Sequence, residues 1–180
     1  MVGPFFRRAN YVRPLLEHVS RVSRTELHLL LSRAGAMKFY EYKQIVGFEE
    51  TNLTGNVYFT NYFHWQGRAR EHFLRDHAPE ILPQLEKGLA LITLNCSCSF
   101  LDEVKAFDEV TVRMFLEDIQ QNRIIMRFEY WRDAPGPVLV ARGEQQIACM
   151  HRQGGRLTPA PVPECLRRAL TGFLEPIASH

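Results

Sequence analysis

At 180 residues, with 46% hydrophobic and 23% charged side chains, the chain has ordinary globular composition and the length for one domain with a sizeable core. No apolar run approaches the roughly 20 residues of a membrane-spanning helix, so no membrane role is expected. The net charge of +2 conceals a split: residues 1–38 carry seven basic side chains against two acidic ones, and residues 39–180 carry 15 against 18, a mildly acidic body that argues against nucleic acid as the partner.

The first 36 residues read as an extension ahead of the domain. Leu15, Leu16, Val19 and Val22, then Leu27, Leu30 and Leu31, recur at helical spacing, which predicts an amphipathic helix. The Arg-rich, acid-poor composition also fits an organelle transit segment, but a simple appendage is the reading we carry forward. At Lys38 the period changes to two. Phe39, Glu41, Lys43 and Ile45 fall on one side and Tyr40, Tyr42, Gln44 and Val46 on the other, a half-buried strand.

A polar turn at Asn52 to Gly55 follows. Thr60 or Asn61 then offers a helix N-cap, and residues 61–77 read as a helix with Tyr62, Trp65, Ala69 and Phe73 on one face, ended by Pro79 and Pro83. Four strand candidates come next without a long helix between them: Leu89–Leu101, Val110–Leu116, Arg123–Trp131 and Val138–Met150. The connections at Glu117–Asn122 and Asp133–Pro137 are short and turn-rich, as an antiparallel meander requires. Residues 153–180 read as a Gly/Pro linker, Gln153 to Pro163, and a short amphipathic helix from Glu164 to Glu175. Strand, helix, then four strands predicts an α+β domain over 37–152, with an antiparallel sheet of about five strands curled around one long central helix.

Cys96 and Cys98, two apart in a strand, share a face with Cα atoms about 6.5–7 Å apart, at the upper limit for a disulfide, so no bond between them is expected. Reduced core cysteines and a cytoplasmic location are the expectation. His72 and His77 are five apart, not the four that sets two ligands on one helical face, so no metal site is expected. No nucleophile elbow, phosphate loop or dinucleotide glycine pattern occurs, and no cofactor is expected.

What the chain does hold is a set of donors suited to acyl transfer. A helix N-terminus presents backbone N–H groups, here around Phe59 and Asn61, to an incoming carbonyl. The neutral amide of Asn52 can donate through its NH₂ and accept through its oxygen, but cannot act as a base; alone, it reads as readily as a turn residue capping nearby backbone. Tyr62, Gln66 and Arg70 recur at spacing four and form one stripe. Arg70 stays charged and presents a planar fork, or else pairs with Glu49, Glu50 or Glu71. Arg68 faces elsewhere.

The residues Thr51-Asn52-Leu53-Thr54-Gly55-Asn56-Val57-Tyr58, then Asn61-Tyr62, then Arg68-Ala69-Arg70-Glu71 resemble the hydroxybenzoyl-CoA-thioesterase branch of the hot-dog superfamily. Two departures narrow the likeness: the usual Asp is Asn52, and the carboxylate often found in the middle of the helix is Gln66. With Gly47-Phe48-Glu49-Glu50 and Trp65, the wording is most similar to thioesterases encoded beside enediyne polyketide synthases, which release a polyene precursor from an acyl carrier protein without an acidic catalytic residue.

The resemblance implies a hot-dog fold, a dimer or a dimer of dimers, and a carrier-protein partner bearing a phosphopantetheine-linked chain. It also implies catalysis by Asn52, Arg70 and the Phe59 backbone N–H, with Tyr62, Gln66 and Arg68 binding substrate. A general acyl-CoA thioesterase and a catalytically silent acyl-binding domain are the alternatives.

Overall fold

The structure is a computed structural model and describes residues 39–173. The expected helix within residues 1–36 and the last residues of the expected C-terminal helix, 174 and 175, lie outside the described residues.

Strand β1 (Tyr40–Ile45) is followed by a 3₁₀ turn (Phe48–Glu50) and the central helix α1 (Thr60–His77). A second 3₁₀ turn (Pro79–Ile81) leads into the short helix α2 (Leu82–Glu86), with Pro83 inside its first turn, where a missing N–H does no harm. Then come β2 (Leu89–Phe100), β3 (Glu109–Ile119), β4 (Arg123–Arg132), β5 (Val138–Gln153), β6 (Arg156–Pro159) and helix α3 (Glu164–Thr171).

All strand pairs are antiparallel, in the order β1-β3-β4-β5-β2, with β6 paired to β5. The register slips between Thr93 and Asn95, between Leu116 and Asp118, and between Tyr130 and Trp131. Such bulges bend a strand and tighten its twist, so the sheet curls round α1. This is the expected α+β hot-dog layout, with six strands among the described residues rather than about five.

The inward faces follow the alternation read from the chain. In β4, Ile124, Met126, Phe128 and Tyr130 are buried while their neighbours are not. In β3 the predicted face of Val110, Val112, Met114 and Leu116 is buried, but so are Thr111 and Phe115 on the other side. Thr111 donates to Asp133, and Phe115 lies under the Arg127 guanidinium and against Phe39. Tyr62, Trp65, Ala69 and Phe73 fill the concave side from α1. Each large side chain buried there contributes about 1.5–3 kcal/mol.

The helix start differs from expectation. Phe59 occupies the N-cap in helical conformation, and no side chain caps it, so neither Thr60 nor Asn61 has that role. Asn61 instead spends its side-chain amide on the Glu50 carbonyl at 2.7 Å. The stretch read as a linker contains β6, because Gly154 and Gly155 adopt positive φ and turn the chain back onto β5. All four cysteines among the described residues are free, and only Cys149 is fully buried.

Candidate functional site

The site forms where three polar segments meet at the start of α1. Asn52 is held in a tight turn: its N–H donates to the Asn56 carbonyl at 2.8 Å, and its own carbonyl accepts from Gly55 N–H at 2.9 Å. Gly55 sits at φ +85, which a side chain would resist. The side-chain oxygen of Asn52 accepts from Thr54 N–H (2.9 Å), Thr54 Oγ1 (2.6 Å) and Asn56 N–H (3.3 Å). Two of those donors are backbone N–H groups, so the oxygen must be the atom facing them. The Asn52 NH₂ is left with no acceptor among the described residues.

Glu50 ties this turn to the helix. Its carboxylate accepts from Trp65 Nε1 (2.8 Å) and Gly47 N–H (2.9 Å), and its carbonyl accepts from Tyr58 N–H (2.8 Å) and Asn61. Val57 N–H donates to Val104 O at 2.8 Å, and Asn56 bridges Lys105, which brings the segment after β2 alongside.

Between these segments lies a cavity of about 300 Å³, walled by Asn52, Tyr58, Phe59, Tyr62, Phe100 and the Asp102–Val104 segment. Tyr62 packs edge-on against Phe100 (5.0 Å) and Tyr130 (5.2 Å), and burial pushes its hydroxyl pKa up to about 12, so it stays protonated. The Asn61 N–H is committed to Tyr58 O at 2.9 Å, whereas the Phe59 and Thr60 N–H groups meet no acceptor among the described residues. Of the two N–H groups expected to face a carbonyl, therefore, Phe59 is open and Asn61 is not. Two lining residues of the cavity, Asn52 and Phe59, thus hold a free amide NH₂ and a free backbone N–H beside aromatic walls, a set able to stabilise an oxyanion.

The remaining candidates lie elsewhere. Gln66 is fully buried: its Nε2 donates to Ser97 O at 3.1 Å and its Oε1 accepts from the Cys96 thiol at 2.9 Å. Both polar ends are spent within the protein, which corrects its expected contact with substrate. Arg70 follows one turn on. Its Nη1 donates to Gln145 Oε1 (3.1 Å) and at the limit to Thr93 Oγ1 (3.4 Å), and its Nε is buried without a partner among the described residues. Burial draws the guanidinium pKa down, opposed by the charges of Glu71 and Cys96, and no ion pair with Glu49, Glu50 or Glu71 forms among the described residues.

Eleven residues of helix separate Phe59 from Arg70, about 16 Å at 1.5 Å per residue. One chain therefore brings Asn52, Phe59 and Tyr62 together and leaves Arg70 apart. Arg68 is exposed and faces away.

Sequence reasoning missed the far wall. Asp102 is held by Arg132 (3.1 Å) and by Glu103 N–H (2.8 Å), while the Glu103 carboxylate has no partner among the described residues. The expected site contained no acid, yet two carboxylates line this cavity. The only local signal was an abrupt acidic pair directly after an apolar strand.

This geometry agrees with what the chain is similar to. The model of the thioesterase-like superfamily matches residues 46–170, and the chain belongs to that family; it is a thioester hydrolase of hot-dog fold. More particularly, it is 51% identical to the dynemicin thioesterase, solved in a study of induced fit and allostery upon polyene binding, with a TM-score of 0.74 over 76% of this chain and 98% of that one. A 1,4-dihydroxy-2-naphthoyl-CoA thioesterase from Synechocystis matches at 19% identity and a TM-score of 0.65, over 74% of this chain and 96% of that one. A 4-hydroxybenzoyl-CoA thioesterase complexed with 4-hydroxybenzoyl-CoA matches at 20% and 0.67, over 73% and 98%. The last two share the fold.

Proposed function

We propose that the protein hydrolyses a β-ketoacyl polyene thioester carried on the phosphopantetheine arm of a polyketide-synthase acyl carrier protein, in enediyne-type biosynthesis. The observation that carries this reading is the Asn52 amide: its oxygen is locked in the turn and its NH₂ is left free at a cavity that also holds the open Phe59 N–H. Both donors approach the thioester carbonyl and stabilise the negative charge that develops as water adds to the carbon. The C–O bond forms, the C–S bond breaks, and the proton lost by water ends on the departing thiolate, giving an acid and a free thiol. A β-keto acid released in this way can then lose carbon dioxide.

Neutral and cationic donors carry this chemistry, and Glu103 is not its base. Tyr58, Phe59, Tyr62 and Phe100 offer flat walls suited to a conjugated chain. The similarity to a thioesterase studied with bound polyene points the same way.

The reading includes self-association with the site shared between copies. The outer edge of β2 is unpaired among the described residues, and it bears the half-exposed Leu94 and Phe100. Two copies joined at that edge about a two-fold axis run antiparallel, so the Arg70 that meets the β-keto oxygen is contributed by the neighbouring copy.

The decisive substitution is Asn52→Asp, which keeps every accepting bond of the turn, removes the NH₂ donor and sets a carboxylate charge in its place. We expect roughly a 10²-fold loss of turnover on a carrier-bound β-ketoacyl thioester, with unchanged stability. A change under about threefold would leave Asn52 a turn residue only. Equal or better turnover of the CoA thioester would withdraw the polyketide assignment.

A further inference from the structure

A second cavity, of about 340 Å³, lies at the opposite end of β2, lined by Gln84, Lys87, Leu89, His151, Ala160, Pro161 and Pro163. Its charged and titratable lining is Lys87 and His151, whereas the first cavity is lined by Asp102 and Glu103. Neither the Lys87 amine nor the His151 ring has a hydrogen-bond or ion-pair partner among the described residues. The Gln84 amide is spent on Glu80 O (3.2 Å) and Cys165 Sγ (3.4 Å), leaving its oxygen.

The backbone brings the two basic groups together by a close approach. Gly88, at φ +103, accepts from Arg152 N–H at 2.7 Å, and a Cβ on Gly88 would come within 2.8 Å of Arg152 O. Only glycine allows that closure, and the closure sets Lys87 beside His151.

Two free basic side chains over an apolar floor fit an anion attached to a branched apolar group. A phosphate esterified to the gem-dimethyl end of a pantetheine arm has that chemistry. We infer that the Lys87–His151 cavity is the phosphate subsite for the arm that delivers the thioester, an inference that rests on the function proposed above.

Within one chain the two cavities cannot share a substrate. They lie at opposite ends of a strand of 12 residues, about 36 Å along its length. A pantetheine arm spans about 18 Å, the reach of five extended residues. Antiparallel joining of two β2 edges removes the conflict, because it sets the Leu89 end of one copy beside the Phe100 end of the other. The phosphate is then held by one copy and the thioester opened by its neighbour, with a basic cavity alongside an acidic one.

The test uses one acyl chain on pantetheine, on 4′-phosphopantetheine, on CoA and on the carrier protein. For the wild-type protein, kcat/KM on phosphopantetheine should exceed that on pantetheine by about tenfold, carried by KM. The double variant Lys87→Ala/His151→Ala should lose that preference, and its KM on the carrier should rise, while acyl-pantetheine kinetics stay as they were. Calorimetry with 4′-phosphopantetheine alone should show binding to the wild type and none to the double variant, a readout independent of turnover.

A wild-type preference below twofold, or a preference that survives both substitutions, overturns the assignment. So does a loss confined to CoA, which would place the nucleotide phosphates there instead. Absence of hydrolysis of all four substrates would count against the thioesterase reading itself, while normal acyl-pantetheine turnover without a phosphate effect counts only against the subsite.

Discussion

Replacing Arg70 by methionine separates a group kept for the substrate from one kept for the fold. In the free protein the guanidinium is half buried, with one good hydrogen bond to neutral Gln145, a marginal one to Thr93 and a buried Nε that has no partner among the described residues. A hydrogen bond involving a charged group returns about 1.5–3 kcal/mol. Withdrawing an ion from water costs several kcal/mol even after relaxation. The free-state balance is therefore near zero or unfavourable.

Methionine keeps the aliphatic stem and deletes the charge, at the cost of about 1–3 kcal/mol for the Gln145 oxygen it strands. The net change should fall within about 2 kcal/mol of zero, and 1 kcal/mol moves the Tm of a domain this size by about 2–4 °C. Turnover should fall by about 10²–10³, the loss that follows removal of a donor to developing charge, and lysine should not restore it because it lacks the planar fork.

The measurements are calorimetric Tm of the free protein and kcat/KM on a carrier-bound β-ketoacyl thioester. A Tm lowered by more than about 8 °C with normal kcat/KM for the folded fraction would refute the reasoning and make Arg70 a structural residue. Mixing Asn52→Asp chains with Arg70→Met chains decides which copy supplies the arginine. If sites are shared, random pairing rebuilds about a quarter of them; if each site is built from one chain, mixing restores nothing.

Glu103→Gln should change turnover by less than about threefold if, as proposed, the donors rather than a carboxylate carry the step; a loss near 10² would establish Glu103 as the base. Gly143→Ala should destabilise the fold by about 1–3 kcal/mol, because a Cβ there meets the Gln66 amide and comes within 2.9 Å of Ser97 O. Part of that loss should return in the double variant with Gln66→Ala, measured by denaturant unfolding, and strict additivity would disprove the contact. Hydrogen bonds from Arg75 and Tyr40 hold the Asp76 carboxyl down at about 2. A depressed folded pKa stabilises the protein above the unfolded value and loses that contribution as pH falls toward 2. Asp76→Asn should therefore flatten the Tm-against-pH curve between about pH 4 and 2, and an unchanged acid limb would show that the pair is not formed in solution.

The chain read alone determined the long elements and most of their inward faces, because side-chain periodicity is a local property, whereas the short β6 and α2 escaped it. Ile124, Met126, Phe128 and Tyr130 can lie together only on a strand, and Tyr62, Trp65, Ala69 and Phe73 only on a helix. The family resemblance singled out Asn52, which the local pattern alone left as readily a turn residue. Tertiary structure decided everything that depends on which segments become neighbours.

Gln66 and Arg70 share a helical stripe with Tyr62, yet only the path of β2 makes Gln66 a buried clasp and leaves Arg70 a charge without an ion-pair partner among the described residues. Asp102 and Glu103 entered the cavity wall through the Val57–Val104 hydrogen bond, and Lys87 met His151 through Gly88 and Arg152. Those contacts join residues far apart in the chain, and their geometry follows from strand order and register, which no local pattern encodes.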